Sequence, residues 1–163
     1  MAQVYVSIGS NIDRSNNIAA ALQRLGSEFG ELEQSSVYES DAVGFDSAAF
    51  YNLVVGFQTD AAPRAVQEKL YDIEERCGRE RSTELSARTL DLDLLLYDDL
   101  VITEGKLVLP RPDITRYAFV LGPLAEIAGI RRHPVSGERY ADMWSAFDHA
   151  QQPLQRVAWP ADA

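Results

Sequence analysis

Apolar positions recur with period two at the start of the chain, where Val4, Val6 and Ile8 share one face of residues 2–9 and predict a strand. Gly9-Ser10-Asn11 reads as a turn. The period then changes: Ile18, Leu22, Leu25 and Phe29 form the stripe of an amphipathic helix that ends near Gly30. Residues 32–38 and 50–58 predict strands, separated by a loop that contains Ser40-Asp41-Ala42-Val43-Gly44-Phe45. A second helix follows Asp60, with Pro63 tolerated in its first turn, a stripe of Val66, Leu70, Ile73 and Cys77, and Gly78 as its stop. After an Arg-bearing loop at 79–88, residues 89–97 alternate again. Leu90, Leu92, Leu94 and Leu96 are expected to cover a core, with Asp91 and Asp93 side by side on the opposite face.

The order strand–helix–strand–strand–helix–strand predicts an α+β fold, a ferredoxin-like sandwich whose mainly antiparallel sheet is backed by helices. Beyond it, Asp98-Asp99 turns the chain into a short strand at 100–102. A loop at Pro110-Arg111-Pro112 leads to a helix near 116–128 and a last short helix near 139–148. The 163 residues suit a single domain, with 150–163 carrying little pattern and expected as a loosely ordered tail.

Composition narrows the chemistry. A formal net charge of −10 argues against nucleic-acid binding, which leaves a basic footprint. Apolar runs are too short to span a bilayer, and no signal peptide is expected, so no membrane partner is predicted. The single cysteine, Cys77, cannot pair within the chain and falls on a helix stripe, which fits a core residue in a reducing cytoplasm. His133 and His149 are expected at the surface rather than as ligands.

Against this acidic background, four of the fifteen basic residues, Arg76, Arg79, Arg81 and Arg88, fall within thirteen positions just before the Asp pair. On a strand the α-carbons of Asp91 and Asp93 stand roughly 6.6 Å apart, from about 3.3 Å of rise per residue. Two carboxylates so placed can converge on hard divalent cations and hold them against a polyphosphate. A solvated strand face would explain the pair alone; the adjoining arginines favour a metal–triphosphate site. No Gly-x-x-x-x-Gly-Lys-Ser/Thr loop occurs, so the chain is not a P-loop kinase. Phe50 and Asn52 share a strand face. Asn52 offers a donor and an acceptor together, as the edge of a heterocycle requires.

Several blocks in order resemble the 6-hydroxymethyl-7,8-dihydropterin pyrophosphokinase family of folate biosynthesis. They are Ser-Ile-Gly-Ser-Asn at 7–11, Ser35-Ser36-Val37-Tyr38, Phe50-Tyr51-Asn52, Ile73-Glu74, Gly78-Arg79-Glu80-Arg81, Arg88-Thr89-Leu90-Asp91-Leu92-Asp93 and Ala118-Phe119-Val120-Leu121-Gly122-Pro123-Leu124. The resemblance implies transfer of the terminal diphosphate of ATP to the pterin hydroxymethyl group, leaving AMP. It also implies a monomer whose partners are ATP and a reduced pterin. Two Mg²⁺ ions are implied on Asp91 and Asp93, with Arg79 and Arg88 joining those carboxylates as the catalytic set. ATP contacts are implied at Glu74, Arg81, Arg88, Leu94, Arg111 and Arg116. Pterin contacts are implied at Ser40, Val43, Phe50, Asn52 and Phe119.

The match departs from the family pattern at five places, one of them the loop before the Asp strand, which is a residue shorter than in some members. Ser40-Asp41 replaces Thr-Pro, and Leu85-Ser86-Ala87 replaces Trp-Gly-Pro. Arg111 replaces a His that contacts nucleotide. Tyr117 replaces an Arg, with Arg116 one place earlier. These changes leave a second reading open, a slow or non-catalytic relative that binds a pterin or nucleotide.

Overall fold

The computed structural model describes residues 1–40, 49–77 and 90–159. Its elements are β1 (Ala2–Ser10), α1 (Arg14–Phe29), β2 (Glu33–Gln34), β3 (Val37–Ser40), β4 (Phe50–Thr59), α2 (Pro63–Cys77), β5 (Asp91–Tyr97), β6 (Ile102–Glu104), β7 (Leu107–Leu109), α3 (Asp113–Arg116), α4 (Ala118–Ala128), α5 (Tyr140–Ala146) and β8 (Gln155–Val157). The main sheet runs β5-β1-β4-β3-β8, with β2 also on β4, and every pairing in it is antiparallel. This is the ferredoxin-like α+β sandwich the element order predicts.

Helices cover both faces. Val4, Val6 and Ile8 of β1 pack with Leu53, Val55 and Phe57 of β4 against Ile18 and Leu25 of α1 and Val66, Leu70 and Cys77 of α2. The opposite face carries Tyr5, Val54, Leu95 and Leu96, which pack on Val120, Leu121, Leu124 and Tyr140 of α4 and α5. Because α4 and α5 cover only part of that second face, the other end of β1, β4 and β5 is left for the site.

Four expectations need correction. Leu96 does not share a face with Leu92 and Leu94. The β1–β5 register shifts at Tyr5/Val6, where Val6 pairs Leu94 but Tyr5 pairs Leu96. The extra residue, Leu95, reverses the alternation and sends Leu96 to the second core. The strand expected at 32–38 is two pieces. Between them Ser35 Oγ accepts the Val54 N–H at 2.9 Å, in place of a ladder carbonyl. The helix expected at 116–128 is likewise divided by Tyr117, which is extended at φ −124° and ψ 127°. Finally, His133 is buried (9% exposed), its Nδ1 accepting the N–H groups of Val135 and Ser136 at 3.2 Å each.

The Asp98 turn forms as expected. Asp98 takes a left-handed φ of 48° and bonds back to Gln3 through both its N–H and its carboxylate. It leads to a separate β6–β7 hairpin, of which the pattern showed only one strand. The segment expected as a tail contributes β8, three residues paired with the edge of β3. Cys77 is a buried core thiol.

Candidate active site

Strand register, rather than proximity in sequence, assembles the site. On β1, Ser7 stands opposite Asp93 and Gly9 opposite Asp91, while on its other side Gly9 stands opposite Asn52 of β4. Alternation puts Ser7, Gly9, Asp91, Asp93, Phe50 and Asn52 on the face not covered by α1 and α2. Together with Ile8, Ser40, Asp113, Tyr117 and Phe119 they line a cavity of about 290 Å³.

One wall is built for a flat polar ring. Asn52 is buried, and its Nδ2 donates to Ser40 Oγ at 2.8 Å. Gly9 leaves room for this amide, since a Cβ there would sit 3.0 Å from Asn52 Oδ1 and press it aside. Phe50 lies along the same strand, and Phe119 comes from the first turn of α4. Tyr117 stacks on Phe119 with ring centroids 5.0 Å apart and planes inclined by 19°. The extended conformation of Tyr117 between α3 and α4 places these two rings together.

The other wall is anionic. Asp91 and Asp93 are each half-buried at its rim, and Asp113 adds a third carboxylate from the first turn of α3. Arg111 lies between them, with Nη2 3.5 Å from Asp93 Oδ1 and Nε 3.5 Å from Asp113 Oδ2. Both distances exceed a formed N–H···O hydrogen bond. Two carboxylates with no thiol or imidazole form a hard donor set, suited to Mg²⁺ rather than to zinc. Arg111 is itself a cation held within ion-pair range of this wall. Among the described residues no three Asp, Glu, His or Cys side chains converge as a complete metal cage. A small hard ion here would therefore complete its shell with water and ligand oxygens.

Behind the acidic strand, Glu74 is 3% exposed, and its Oε2 accepts the Leu92 N–H at 2.7 Å. It lies under the strand, not on the cavity wall. Leu94, also expected at the nucleotide, points its side chain into the core against α1 and α2, so only its main chain can meet a ligand. Arg116 is exposed at the end of α3 and does not line the cavity. Val43, Arg79, Arg81 and Arg88 lie outside the described residues, as does Leu85. Arg76 pairs with Asp72 at 3.1 Å on the surface of α2. Sequence reasoning missed Ser7, Gly9, Asp113 and Tyr117 as wall residues. The Ser-Ile-Gly-Ser-Asn block was a signal for the first two; no pattern singled out Asp113.

A family profile described as 7,8-dihydro-6-hydroxymethylpterin-pyrophosphokinase matches residues 5–129. The chain belongs to this family of pyrophosphokinase enzymes. It is 38% identical over 138 residues to the 2-amino-4-hydroxy-6-hydroxymethyldihydropteridine pyrophosphokinase of Aquifex aeolicus, covering 83% of this chain and 86% of that one. It is 34% identical over 155 residues to the folic acid synthesis protein fol1 of Pneumocystis carinii, covering 93% of this chain but only 21% of that protein. The fold is shared with the Plasmodium falciparum HPPK-DHPS crystal structure with SDX-DHP. There the TM-score is 0.71 at 15% identity, and the match covers 89% of this chain and 43% of that one. The chain thus spans less than half of either longer protein.

Proposed function

We propose that this pyrophosphokinase transfers the β,γ-diphosphate of ATP to the hydroxymethyl oxygen of 6-hydroxymethyl-7,8-dihydropterin and releases AMP. The observation that carries the reading is a single cavity lined on one side by Asn52, Phe50 and Phe119 and on the other by Asp91 and Asp93. Its volume, near the lower end of small-molecule sites at about 300 Å³, suits one bicyclic ring, with the triphosphate laid along the acidic rim.

In this reading Asn52 and Ser40 hold the polar edge of the pterin while Phe50 and Phe119 clamp its faces, so that the hydroxymethyl group points to the Asp pair. The hydroxymethyl oxygen forms a bond to the β-phosphorus. The bond from that phosphorus to the oxygen shared with the α-phosphate breaks, AMP leaves with the electron pair, and the hydroxyl proton passes to solvent. Asp91 and Asp93 would hold Mg²⁺, which supplies neutralisation of the triphosphate charge. Arg111 stands where it can reach a phosphate oxygen, and the main chain of Leu94, on an edge strand, is assigned a nucleotide contact on the family resemblance. Arg79, Arg81, Arg88 and Arg116 are assigned to the nucleotide, and Val43 to the pterin, on the family resemblance. Strands hold the carboxylates and the asparagine rigidly, which suits a reaction whose catalysis is mainly positioning and charge stabilisation. A buried free thiol at Cys77 suits a cytoplasmic setting.

The alternative of a slow or non-catalytic relative gains no support, since both carboxylates stand on the cavity wall. Incubation with ATP, Mg²⁺ and the hydroxymethylpterin should yield pterin-dependent AMP in the native protein and none with Asp93→Ala. Pterin-independent AMP, or turnover undiminished by Asp93→Ala, would refute the assignment.

A further inference from the structure

We propose that Arg111 is a tethered counter-cation for Asp93, which weakens divalent metal binding to the free protein and is handed to a phosphate oxygen when metal and nucleotide arrive together. This rests on the metal–ATP reading of the acidic wall. Three observations support it. The guanidinium lies between two carboxylates at 3.5 Å each, within ion-pair range of both. Its Nε is buried and makes no hydrogen bond among the described residues, where the Asp113 carboxylate at 3.5 Å is its ion-pair partner. The backbone is fixed, because the Arg111 N–H bonds to Leu95 O at 3.0 Å and prolines stand on both sides, at 110 and 112. Only the side chain is left to move.

The consequence is a competition at Asp93. A divalent ion bound there repels the guanidinium, and a guanidinium drawn to Asp93 weakens the ion's hold. Asp113 gives Arg111 a second anchor, so that leaving Asp93 does not strand a half-buried charge. A triphosphate supplies acceptor oxygens, for which a planar bidentate fork is suited. Metal and nucleotide are thereby coupled: each improves the other's affinity, by the same factor.

The test is a Mn²⁺ titration of the full chain, followed by the electron paramagnetic resonance of unbound Mn²⁺, with and without a non-hydrolysable ATP analogue. Without nucleotide, Arg111→Gln should bind Mn²⁺ about tenfold tighter than the native protein, since a positive charge a few ångströms away is removed. With the analogue present, that advantage should vanish. Arg132→Gln makes the same change in net charge on an exposed turn after α4 and should keep native affinity. Equal affinities of Arg111→Gln and native protein without nucleotide would overturn the proposal, as would the same gain in Arg132→Gln. A measurement on the native chain is independent of variant folding: the Arg111 Nε–H signal in ¹⁵N-correlated spectra should shift when analogue joins Mg²⁺, but not with Mg²⁺ alone. A signal that moves fully with Mg²⁺ alone would also overturn it. If no protein takes up Mn²⁺ even with the analogue, it is the metal–nucleotide reading that fails, and this inference falls with it.

Discussion

The carboxylate of Glu74 accepts the backbone N–H of Leu92 at 2.7 Å, and so fastens to α2 the residue that separates Asp91 from Asp93. Glu74 is almost wholly buried, at 3% exposure. A buried side-chain acceptor in that position fixes the edge strand that carries the acidic pair. That contact gives it a structural hold on β5, and any effect on turnover would pass through the strand, as for a positioning residue.

Glu74→Ala should therefore cost about 1–3 kcal/mol of stability, the range for leaving a buried donor unsatisfied. It should also lower turnover by about tenfold or more, as small displacements of reacting groups do. Glu74→Gln keeps an acceptor oxygen and should recover most of the turnover. Urea unfolding and steady-state rates on both variants check this. Equal turnover in Glu74→Ala and native protein would remove the positioning role.

Gly9→Ala should act on Asn52 rather than on the fold. The added Cβ would meet Asn52 Oδ1 at 3.0 Å, and the amide must turn or shift. Pterin affinity should fall, by about 1–3 kcal/mol if one good polar contact is lost, while binding of the ATP analogue stays near native. Calorimetric titration with each ligand separates the two. A loss shared equally by both ligands would show that the glycine serves something other than the ring pocket.

Much of this arrangement was legible in the sequence because it depends on period two. Alternation in β1 and β5 puts Asp91 and Asp93 on one face, and the two-residue spacing of Phe50 and Asn52 does the same on β4. What alternation cannot register is its own interruption. The bulge at Leu95 sends Leu96 to the second core, and Ser35 replaces a ladder carbonyl with its hydroxyl; both are local choices with no periodic trace. Asp113 was hidden for another reason: its place beside Arg111 depends on where α3 packs. His133 misled because its burial comes from capping a tight turn, which hydrophobic patterning does not record.

Acid should lower the stability of the fold in two stages. Burial lowers the His133 pKa below 6.5, so the folded state favours neutral imidazole. Its stabilisation is complete above 6.5 and declines as pH falls from there to the folded value. For Glu126, burial raises the pKa but is outweighed by hydrogen bonds from Tyr38 and Ser36 and by Arg156, leaving it below the ordinary 4.5. That contribution is present above 4.5 and is lost as pH falls through the lowered folded value. Urea midpoints between pH 8 and pH 3.5 should show both declines. Glu126→Gln should flatten the lower one and His133→Asn the upper. A midpoint unchanged by pH in native protein would contradict both.

Phe119→Ala should weaken pterin binding by about 1–3 kcal/mol, the range for losing an aromatic stacking face against a heterocyclic base. Tyr117, which stacks on Phe119 in the free protein, loses its partner in this variant. Tyr117→Ala should therefore cost less than Phe119→Ala, and the double variant little more than Phe119→Ala alone. Intrinsic fluorescence titration with the pterin measures all three; additive losses would show that the two rings act separately.

Diphosphate transfer at this cavity is decided by the identity of the phosphorus products. Phosphorus-31 spectra of a reaction with ATP, Mg²⁺ and 6-hydroxymethyl-7,8-dihydropterin should show AMP and a new diphosphate ester growing in equal amounts, with no ADP. Formation of ADP with a pterin monophosphate, or AMP accompanied only by free pyrophosphate, would contradict it.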